Sequence, residues 1–483
     1  MPLSRRGLLT AVVAGAASAA ACSAPGPPQL PPPAPRARPG GAVDWDALAA
    51  RLPGGLLRPG SADYDRARRV YNIGFDGRRP AALAVCGSAD DVRACLDAAG
   101  GRVPVAALGG GHGYGGYALP DGGLVVDLRR MNGVAPAADG TVAVGPGALL
   151  RDVYDGVAAA GRALPAGFCP TVGITGLLLG GGIGPLARSM GLTCDRLIAA
   201  EVVTGDGRVL TASAASEPDL FWALRGGGGG NAGIVTALTL STEPAPAVLT
   251  VFTLTFSAAD AAAACAAWRD VMAGAPRELW CNLTLSANGR TATAKVAGCL
   301  VGDDAAPWLD ALARGTAGPR RREVRRLGFA EAMRHFGAGG DRQDFVASSR
   351  IVPGPSFDPE DVLGPLAGRR RLDVILDPLG GRVADPAPGD TAFVHRTAFA
   401  TAQVYATVTD AGRDAAASAV AEVLAGLAAR GMGGGYVNYI DPALPGWGRA
   451  YHGDNLARLQ RVAATYDPDR VLGFAQDVRA AVA

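Results

Sequence analysis

The side chains best suited to chemistry in this sequence are His112 and Cys169, each of which lies in a glycine-rich segment. His112 stands inside Leu108-Gly-Gly-Gly-His-Gly-Tyr-Gly-Gly, directly after an apolar stretch. Consecutive glycines let backbone N–H groups converge on an anion without Cβ clashes, and a pyrophosphate is the natural ligand for such a loop. The segment is not a Walker loop, because Lys-Ser/Thr is absent, and it does not match G-x-G-x-x-G. A plain glycine-rich turn is the alternative interpretation.

A second glycine-rich block runs from Gly167 to Gly184 and contains Cys169 beside Pro170. Its small residues interrupt what would otherwise be a helix, so the backbone can pass close to a flat, bulky ligand. The proline holds Cys169 rigidly at the start of the block, although a buried structural cysteine is the alternative. A third block, Phe221-Trp-Ala-Leu-Arg followed by five glycines and Asn-Ala-Gly-Ile-Val, again joins glycines to an apolar strand.

Strand-like and helix-like segments alternate from about residue 68 to residue 240, and they must position these blocks. The predicted elements there are strands at 82–86, 103–108, 122–128, 141–144 and 234–240, helices at 89–99 and 148–159, and a hairpin of 196–204 with 208–212. After Glu243 the predicted elements are strands at 248–256, 279–285, 291–300, 372–376 and 393–407, and helices at 258–272 and 411–429. This second region predicts an antiparallel sheet covered by helices.

Composition excludes several classes of protein. The 483 residues are 49% apolar and 19% charged, which excludes a wholly disordered chain and is enough for two to four domains. The net charge of +2 gives no strong field that would favour a nucleic acid. The eight cysteines include no C-x-x-C pair, and the four histidines show no zinc-ligand spacing, so neither a disulfide scaffold nor a metal site is expected.

Residues 1–22 have the layout of a bacterial export signal. Arg5 and Arg6 precede a run of small and apolar residues that is shorter than the roughly 20 residues of a membrane-spanning helix. The paired arginines resemble twin-arginine signals, so the expected location is extracellular or at the cell surface. Residues 23–41 predict a Pro-rich, extended linker. A lipid anchor at Cys22 stays open, because Ala19 stands where lipoprotein signals usually have Leu, and a tail without targeting meaning is the alternative.

Taken together, the glycine-rich blocks resemble those of FAD-linked oxidases of the vanillyl-alcohol oxidase superfamily, and more narrowly the berberine bridge enzyme-like family. The C-terminal part adds Gly435-Tyr-Val-Asn-Tyr-Ile-Asp, Tyr451-His-Gly-Asp-Asn-Leu and Tyr466-Asp-Pro-Asp-Arg-Val-Leu, in order and at family spacing. The resemblance implies an α+β fold, with a PCMH-type FAD-binding domain of two α/β subdomains and a substrate domain whose antiparallel sheet is covered by helices. The implied boundaries are 42–246 for the FAD domain, 247–444 for the substrate domain and 445–483 for a segment that returns to the FAD domain.

In that family the histidine of the G-G-H loop binds the flavin 8α-methyl, and the cysteine of G-x-C-P-T-V-G binds C6. These positions fall on His112 and Cys169, so the resemblance implies a 6-S-cysteinyl, 8α-histidyl FAD. Two covalent bonds would hold the flavin ring in place without protein enclosing it on all sides, which would leave an open cleft for a bulky substrate. The residues that the resemblance places at the cofactor are His112, Cys169, Gly109, Gly110, Gly111, Gly113, Tyr114, Val172, Gly173, Thr175, Gly176, Gly181, Gly182, Gly184, Gly233, Ile234, Val235 and Asn438.

The resemblance also points to catalytic groups. The tyrosine of Tyr-x-Asn falls on Tyr436, which would take the substrate hydroxyl proton while Asn438 fixes the flavin or the strand. Since a free tyrosine has a pKa near ~10, Tyr436 would need a neighbouring donor or charge. Gln403 and Tyr405 share one face of a predicted strand and could supply that setting; ordinary polar groups of the sheet surface are the alternative. A valine at position 172 leaves room for dioxygen near the flavin in this family, which favours an oxidase over a dehydrogenase; simple core packing is the alternative.

The sequence therefore predicts an FAD-dependent oxidoreductase. It would oxidise an alcohol carbon of a sugar or secondary metabolite by hydride transfer, and dioxygen would reoxidise the flavin to give hydrogen peroxide. Oxidative ring closure of a natural product, a dehydrogenase, and a non-catalytic surface protein with a structural flavin are the alternatives. The motifs do not specify the substrate or the oligomeric state.

Overall fold

The computed structural model describes residues 41–337 and 341–482. The predicted export signal, the linker up to residue 40 and Cys22 lie outside the described residues, so the predictions made for them are untested. Within the described ranges, none of the helices combines the length and the apolar character needed to cross a bilayer.

A small sheet carries the His112 loop at the end of one of its strands. In spatial order its strands are Leu56–Leu57, Ala82–Val85, Leu124–Asp127 and Val105–Leu108. The helix Ala89–Ala99 begins after Ser88, whose side chain accepts a hydrogen bond from the Asp91 N–H, and ends at Gly100, which has a φ of 49°. Because one of the parallel strands ends at Leu108, the loop that follows starts at the carboxyl edge of the sheet, where α/β folds bind ligands.

A middle sheet supports the second glycine-rich block. In spatial order its antiparallel strands are Val134–Pro136, Thr141–Val144, Gly233–Ser241, Leu197–Thr204 and Val209–Ser213. The block itself forms a short helix, Ile174–Leu179, flanked by glycines. Its backbone packs directly on the His112 loop, because a Cβ on Gly110 would lie 2.1 Å from the nitrogen of Gly173. Glycine at this crossing is therefore what allows the two reactive segments to approach each other.

A large antiparallel sheet forms the second region. In spatial order its strands are Arg321–Leu327, Leu249–Phe256, Ala292–Val301, Leu279–Asn288, Arg370–Pro378, Ala400–Thr407 and Phe345–Val352. Its covered face packs against the helices Ala261–Gly274, Ala306–Leu312, Pro359–Leu363 and Arg413–Ala428. Side chains alternate between the two faces, so Val374 and Leu376 lie under the helices. Asp373, Ile375 and Asp377 lie on the opposite face, where they line a cavity.

The remaining elements connect these sheets. The other α-helices in the described part of the chain are Trp45–Arg51, Tyr64–Ala67, Leu150–Ala159, Ala187–Met190, Pro218–Ala223, Phe329–Phe336, Trp447–His452 and Leu456–Tyr466. A short strand pair joins Arg162–Ala163 to Glu243–Pro244. The α+β class, with an antiparallel sheet covered by helices, is confirmed. The domain boundaries at 246 and 444 stay predictions.

One sequence prediction about the large sheet is corrected, and two of its strands were missed. The strand predicted at 393–407 begins only at Ala400. The Phe393 N–H bonds instead to the Arg225 carbonyl at 3.1 Å, so the segment before Ala400 packs on the third glycine-rich block rather than on a neighbouring strand. The strands Arg321–Leu327 and Phe345–Val352, at the two edges of the sheet, were not predicted at all.

Candidate active site

The glycine-rich segments and the face of the large sheet opposite its helices enclose a cavity of about 560 Å³, called here the main cavity. The predicted site residues that line it are His112, Cys169, Gly109, Gly110, Gly111, Gly113, Tyr114, Val172, Gly173, Gly176, Gln403, Tyr405, Tyr436 and Asn438. Residues from both halves of the chain therefore meet at one place, although they are separated by more than 200 positions in the sequence.

His112 and Cys169 lie close together in the wall of the main cavity. The imidazole Nε2 is 2.9 Å from the Thr171 hydroxyl, and the Cys169 thiol is 3.4 Å from the same hydroxyl. Tyr71 stacks on the imidazole, with ring centroids 4.0 Å apart. Burial lowers the pKa of His112 to about 4, so the imidazole is neutral at neutral pH. Among the described cysteines, Cys169 is the one that is not fully buried, which leaves its thiol accessible to a ligand.

A second cavity of about 630 Å³, called here the inner cavity, adjoins the main one. Thr175, Gly233, Ile234 and Val235 line it, and Gly109, Gly113, Gly176 and Asn438 line both cavities. A long ligand can therefore extend from one cavity into the other. A dinucleotide has this shape, with a ring system at one end and a nucleoside at the other.

The inner cavity has the features that a dinucleotide needs. Three buried polar atoms in its wall have no protein hydrogen-bond partner: Thr175 Oγ1, His452 Nδ1 and Gln476 Oε1. Such atoms are costly to bury unless a ligand or water pairs with them. A Cβ added at Gly113 or Gly176 would meet no atom within 4 Å and would project into open space. The residues present therefore fit the FAD expected from the sequence.

Three of the predicted cofactor residues, Gly181, Gly182 and Gly184, line neither cavity. A Cβ on Gly184 would lie 1.8 Å from the Ala166 carbonyl oxygen, and one on Gly181 would lie 2.9 Å from the Phe393 ring. The structure thus places these glycines behind the cavity wall, where they allow tight packing. A direct contact with the cofactor stays a prediction for them.

Tyr436, the predicted base, is buried in the wall of the main cavity. Its hydroxyl oxygen accepts hydrogen bonds from the Gly182 N–H at 3.0 Å and from the Asn438 side-chain amide at 2.8 Å. Burial raises the pKa of Tyr436 above its usual value, and these two donors oppose the rise because they stabilise the phenolate. Tyr436 therefore has neighbouring donors, but they are Gly182 and Asn438 rather than the predicted Gln403 and Tyr405.

Sequence reasoning missed a second pair of groups, Tyr439 and Asp377. Tyr439 stacks on Tyr114, with ring centroids 5.4 Å apart, and its hydroxyl donates to Asp377 Oδ2 at 3.3 Å. The amide of Asn282 donates to the other carboxylate oxygen at 3.4 Å. Burial raises the pKa of Asp377 to about 7, which suits a group that accepts a proton near neutral pH.

One sequence signal could have found Asp377. It is a charged residue in the mostly apolar stretch Leu372–Pro378, and it shares a strand face with Asp373, the other charged residue of that stretch. Tyr439 follows Asn438 directly, but nothing in the local sequence shows that it meets Asp377.

The predicted residues Gln403 and Tyr405 each hydrogen-bond to another side chain that lines the main cavity. The Gln403 amide donates to the Tyr114 hydroxyl, and the Tyr405 hydroxyl donates to Gln343 Oε1.

Within the part of the chain that the structure describes, no group of three or more His, Cys, Asp or Glu side chains is arranged to bind a metal ion. The cavity therefore offers hydrogen-bonding and proton-transfer groups around a space for an organic ligand.

Comparisons with known proteins agree with this geometry. Residues 80–213 match the family model described as an FAD binding domain, and residues 435–479 match the one described as berberine and berberine like. The FAD-linked oxidoreductase YgaK of Bacillus subtilis is 31% identical over 444 residues, which cover 89% of this chain and 97% of that protein.

Two solved structures resemble the whole described fold. BBE-like 1 of Physcomitrella patens has a TM-score of 0.85 and 26% identity, covering 90% of this chain and 98% of its own. Glucooligosaccharide oxidase of Acremonium strictum has a TM-score of 0.80 and 27% identity, with the same coverage of 90% and 98%. That oxidase is described as carrying a 6-S-cysteinyl, 8α-N1-histidyl FAD. These similarities confirm the predicted fold and an FAD-binding oxidoreductase.

Proposed function

This chain belongs to the berberine bridge enzyme-like family of FAD-linked oxidoreductases, and we propose that it oxidises an alcohol carbon of a carbohydrate with dioxygen as electron acceptor. The observation that carries the proposal is the make-up of the main cavity. Its loop wall presents His112 and Cys169, which can hold a flavin. Its sheet wall presents Asp373, Asp377 and Gln403, which can bind the hydroxyl groups of a sugar.

We propose that His112 and Cys169 both bond to the FAD. The imidazole and the thiol share the Thr171 hydroxyl and face one cavity, so a single ring system can reach both of them. Purified protein should stay yellow after acid precipitation, and the FAD mass should remain on the peptides that contain the two residues. Release of all flavin by acid would contradict the attachment without contradicting the oxidation reaction.

Bound FAD would supply the acceptor for the hydride that leaves the alcohol carbon, and its electrons would pass to dioxygen to give hydrogen peroxide. The side chains have to remove the hydroxyl proton. The Tyr439 hydroxyl can take this proton while it passes its own proton to Asp377, so no free phenolate is needed. We therefore assign proton removal to the Tyr439–Asp377 pair. Tyr436, bonded to Gly182 and Asn438, is assigned to hold the reacting groups in position.

The reaction is tested by mixing the purified protein with glucose-, xylose- and chitin-derived oligosaccharides under nitrogen. A substrate should bleach the flavin absorbance, and admitting air should restore it with one hydrogen peroxide per sugar oxidised. Tyr439→Phe should slow the bleaching more than Tyr436→Phe does. The opposite order would return the role of base to Tyr436. A flavin that no alcohol bleaches would contradict the proposed reaction.

We also propose that the protein acts outside the cytoplasm, on the strength of the Arg5-Arg6 signal in the sequence. Export of the folded protein would suit an enzyme that takes up its flavin before it leaves the cell. Replacing both arginines by lysine should trap the full-length chain in the cytoplasm. The N-terminal mass of the exported protein would show whether Cys22 carries a lipid.

A further inference from the structure

The side chain of Thr171 has an unusual position between the two groups proposed to bond the flavin. Its hydroxyl is 2.9 Å from His112 Nε2 and 3.4 Å from the Cys169 thiol. We infer that Thr171 is a positioning residue for cofactor attachment, which holds the imidazole and the thiol in one hydrogen-bonded chain so that both can bond the same flavin. The inference rests on the proposed attachment through His112 and Cys169.

The hydrogen-bonding capacity of the three groups allows a chain that leaves one imidazole nitrogen free. A neutral imidazole has one N–H and one nitrogen lone pair, and a hydroxyl has one O–H and two lone pairs. With the proton on Nε2, the nitrogen that lies 2.9 Å from the Thr171 hydroxyl, Thr171 accepts the hydrogen bond from the imidazole. The O–H of Thr171 is then free to point to the Cys169 sulfur at 3.4 Å.

This arrangement leaves Nδ1 of His112 with the free lone pair. A nitrogen that forms a new bond to carbon needs its lone pair, so the hydrogen bond at Nε2 prepares Nδ1 for attachment. The partner of one imidazole nitrogen commonly sets the tautomer of the ring in this way. The same hydroxyl, acting as donor, holds the Cys169 sulfur beside the imidazole.

The surrounding structure holds the imidazole and Thr171 in place. Tyr71 stacks on the imidazole at an interplanar angle of 19°, which fixes the plane of the ring. The Thr171 hydroxyl then fixes its rotation within that plane. The backbone of Thr171 is held in turn, because its carbonyl oxygen lies against the Gly110 crossing, 3.0 Å from where a Cβ would be. The His112 loop and the Cys169 block are thus locked together at the point of attachment.

Each attachment reaction is balanced when dioxygen, the electron acceptor proposed above, takes up the released electrons and protons. For His112, the Nε2–H bond and one C–H bond of the flavin methyl group break, and one Nδ1–C bond forms. For Cys169, the S–H bond and the ring C–H bond break, and one S–C bond forms. In each case the two protons and two electrons end on one dioxygen molecule as hydrogen peroxide. Thr171 is not consumed, since it only orients the two groups.

The test compares Thr171→Val, which keeps the shape but removes the hydroxyl, with Thr171→Ser, which keeps the hydroxyl. Denaturing mass spectrometry counts chains with two, one or no covalent bonds to FAD, and absorbance gives the total FAD per folded chain. In Thr171→Val the doubly bonded fraction should fall about tenfold, as expected for lost positioning, while total FAD stays within about twofold. Thr171→Ser should restore most of the doubly bonded fraction.

Thr401→Val is the matched control. Thr401 is fully buried and its hydroxyl has no hydrogen-bond partner, so this variant loses the same atoms without breaking a hydrogen bond. It should be doubly bonded like the wild type. A Thr171→Val protein as fully doubly bonded as the wild type would overturn the inference, and so would a folded Thr171→Ser protein that has lost the bonds. Wild-type protein that releases its flavin in acid would instead contradict the proposed attachment.

Discussion

The two walls of the main cavity are built in different ways. The loop wall is shaped by backbone at the crossing of Gly110 and Gly173, where there is no room for a Cβ, and it carries the side chains of His112 and Cys169. The sheet wall is made by side chains, with Asp373, Ile375 and Asp377 on one face of one strand. The shape of the loop wall is thus fixed by a backbone crossing, whereas the surface of the sheet wall depends on which side chains its strands carry. The difference teaches that cofactor binding and substrate choice are separated in this molecule.

Gly110→Ala should have the largest effect, because it places a side chain where two backbone segments of the loop wall cross. The new Cβ would lie 2.1 Å from the Gly173 nitrogen, and backbone cannot move aside as a flexible side chain can. We expect a loss of about 3 kcal/mol in the free energy of unfolding and little bound FAD, measured by denaturant unfolding and absorbance.

Gly113→Ala is the control for this change, since its Cβ would meet no atom within 4 Å. Its free energy of unfolding should change by less than about 1 kcal/mol. Equal stability of the two variants would mean that the loop wall is not the rigid part of the site.

Asp377→Asn should have the next largest effect, now on the sheet wall. Asp377 has to be deprotonated to receive a proton, and its pKa is about 7. Anaerobic flavin reduction by substrate should therefore be slow below pH 7 and become faster as the pH rises through that value. Asp377→Asn should lower the rate about 10²–10³-fold and remove this pH dependence, while the fold and the FAD content stay unchanged.

Asn282→Ala tests whether Asp377 is the group whose titration sets the pH profile. The amide of Asn282 donates to the Asp377 carboxylate, and this hydrogen bond holds the pKa of Asp377 down. Its removal should move the midpoint of the pH profile to a higher pH. A midpoint that stays in place in this variant, or a profile that survives Asp377→Asn, would assign the titration to another group.

The two walls also differ in how far they can be predicted from sequence. The loop wall was predicted because its glycines, His112 and Cys169 occur in short contiguous motifs. Asp377 lies on the strand Arg370–Pro378 and Tyr439 on the short helical turn Val437–Tyr439, so the two meet only through tertiary packing that no local pattern encodes. The edge strand Arg321–Leu327 was missed for a related reason: its exposed arginines suit a sheet edge but hide the apolar alternation of a strand.

Val172→Leu should have a smaller effect, on the flavin side of the main cavity. Val172 lines the cavity next to the Cys169 segment, so a longer side chain would occupy space that dioxygen needs. Reoxidation of the reduced flavin by air should slow about tenfold, equivalent to about 1.4 kcal/mol, while anaerobic reduction is unaffected. Val172→Ala should keep fast reoxidation. If reduction and reoxidation slow equally in Val172→Leu, the residue packs the core and does not control oxygen access.

Asp373→Asn should have the smallest effect and bears most directly on substrate choice. The carboxyl group lines the main cavity, where burial raises its pKa and a hydrogen bond from Ser286 opposes the rise. An amide of the same shape still accepts a hydrogen bond from a sugar hydroxyl, though without the charge. KM should rise about fivefold, equivalent to about 1 kcal/mol for one weakened hydrogen bond, while kcat changes little. Ser286→Ala, which frees the carboxylate from its neighbour, should change KM less. A fall in kcat at constant KM would instead place Asp373 in the proton-transfer step.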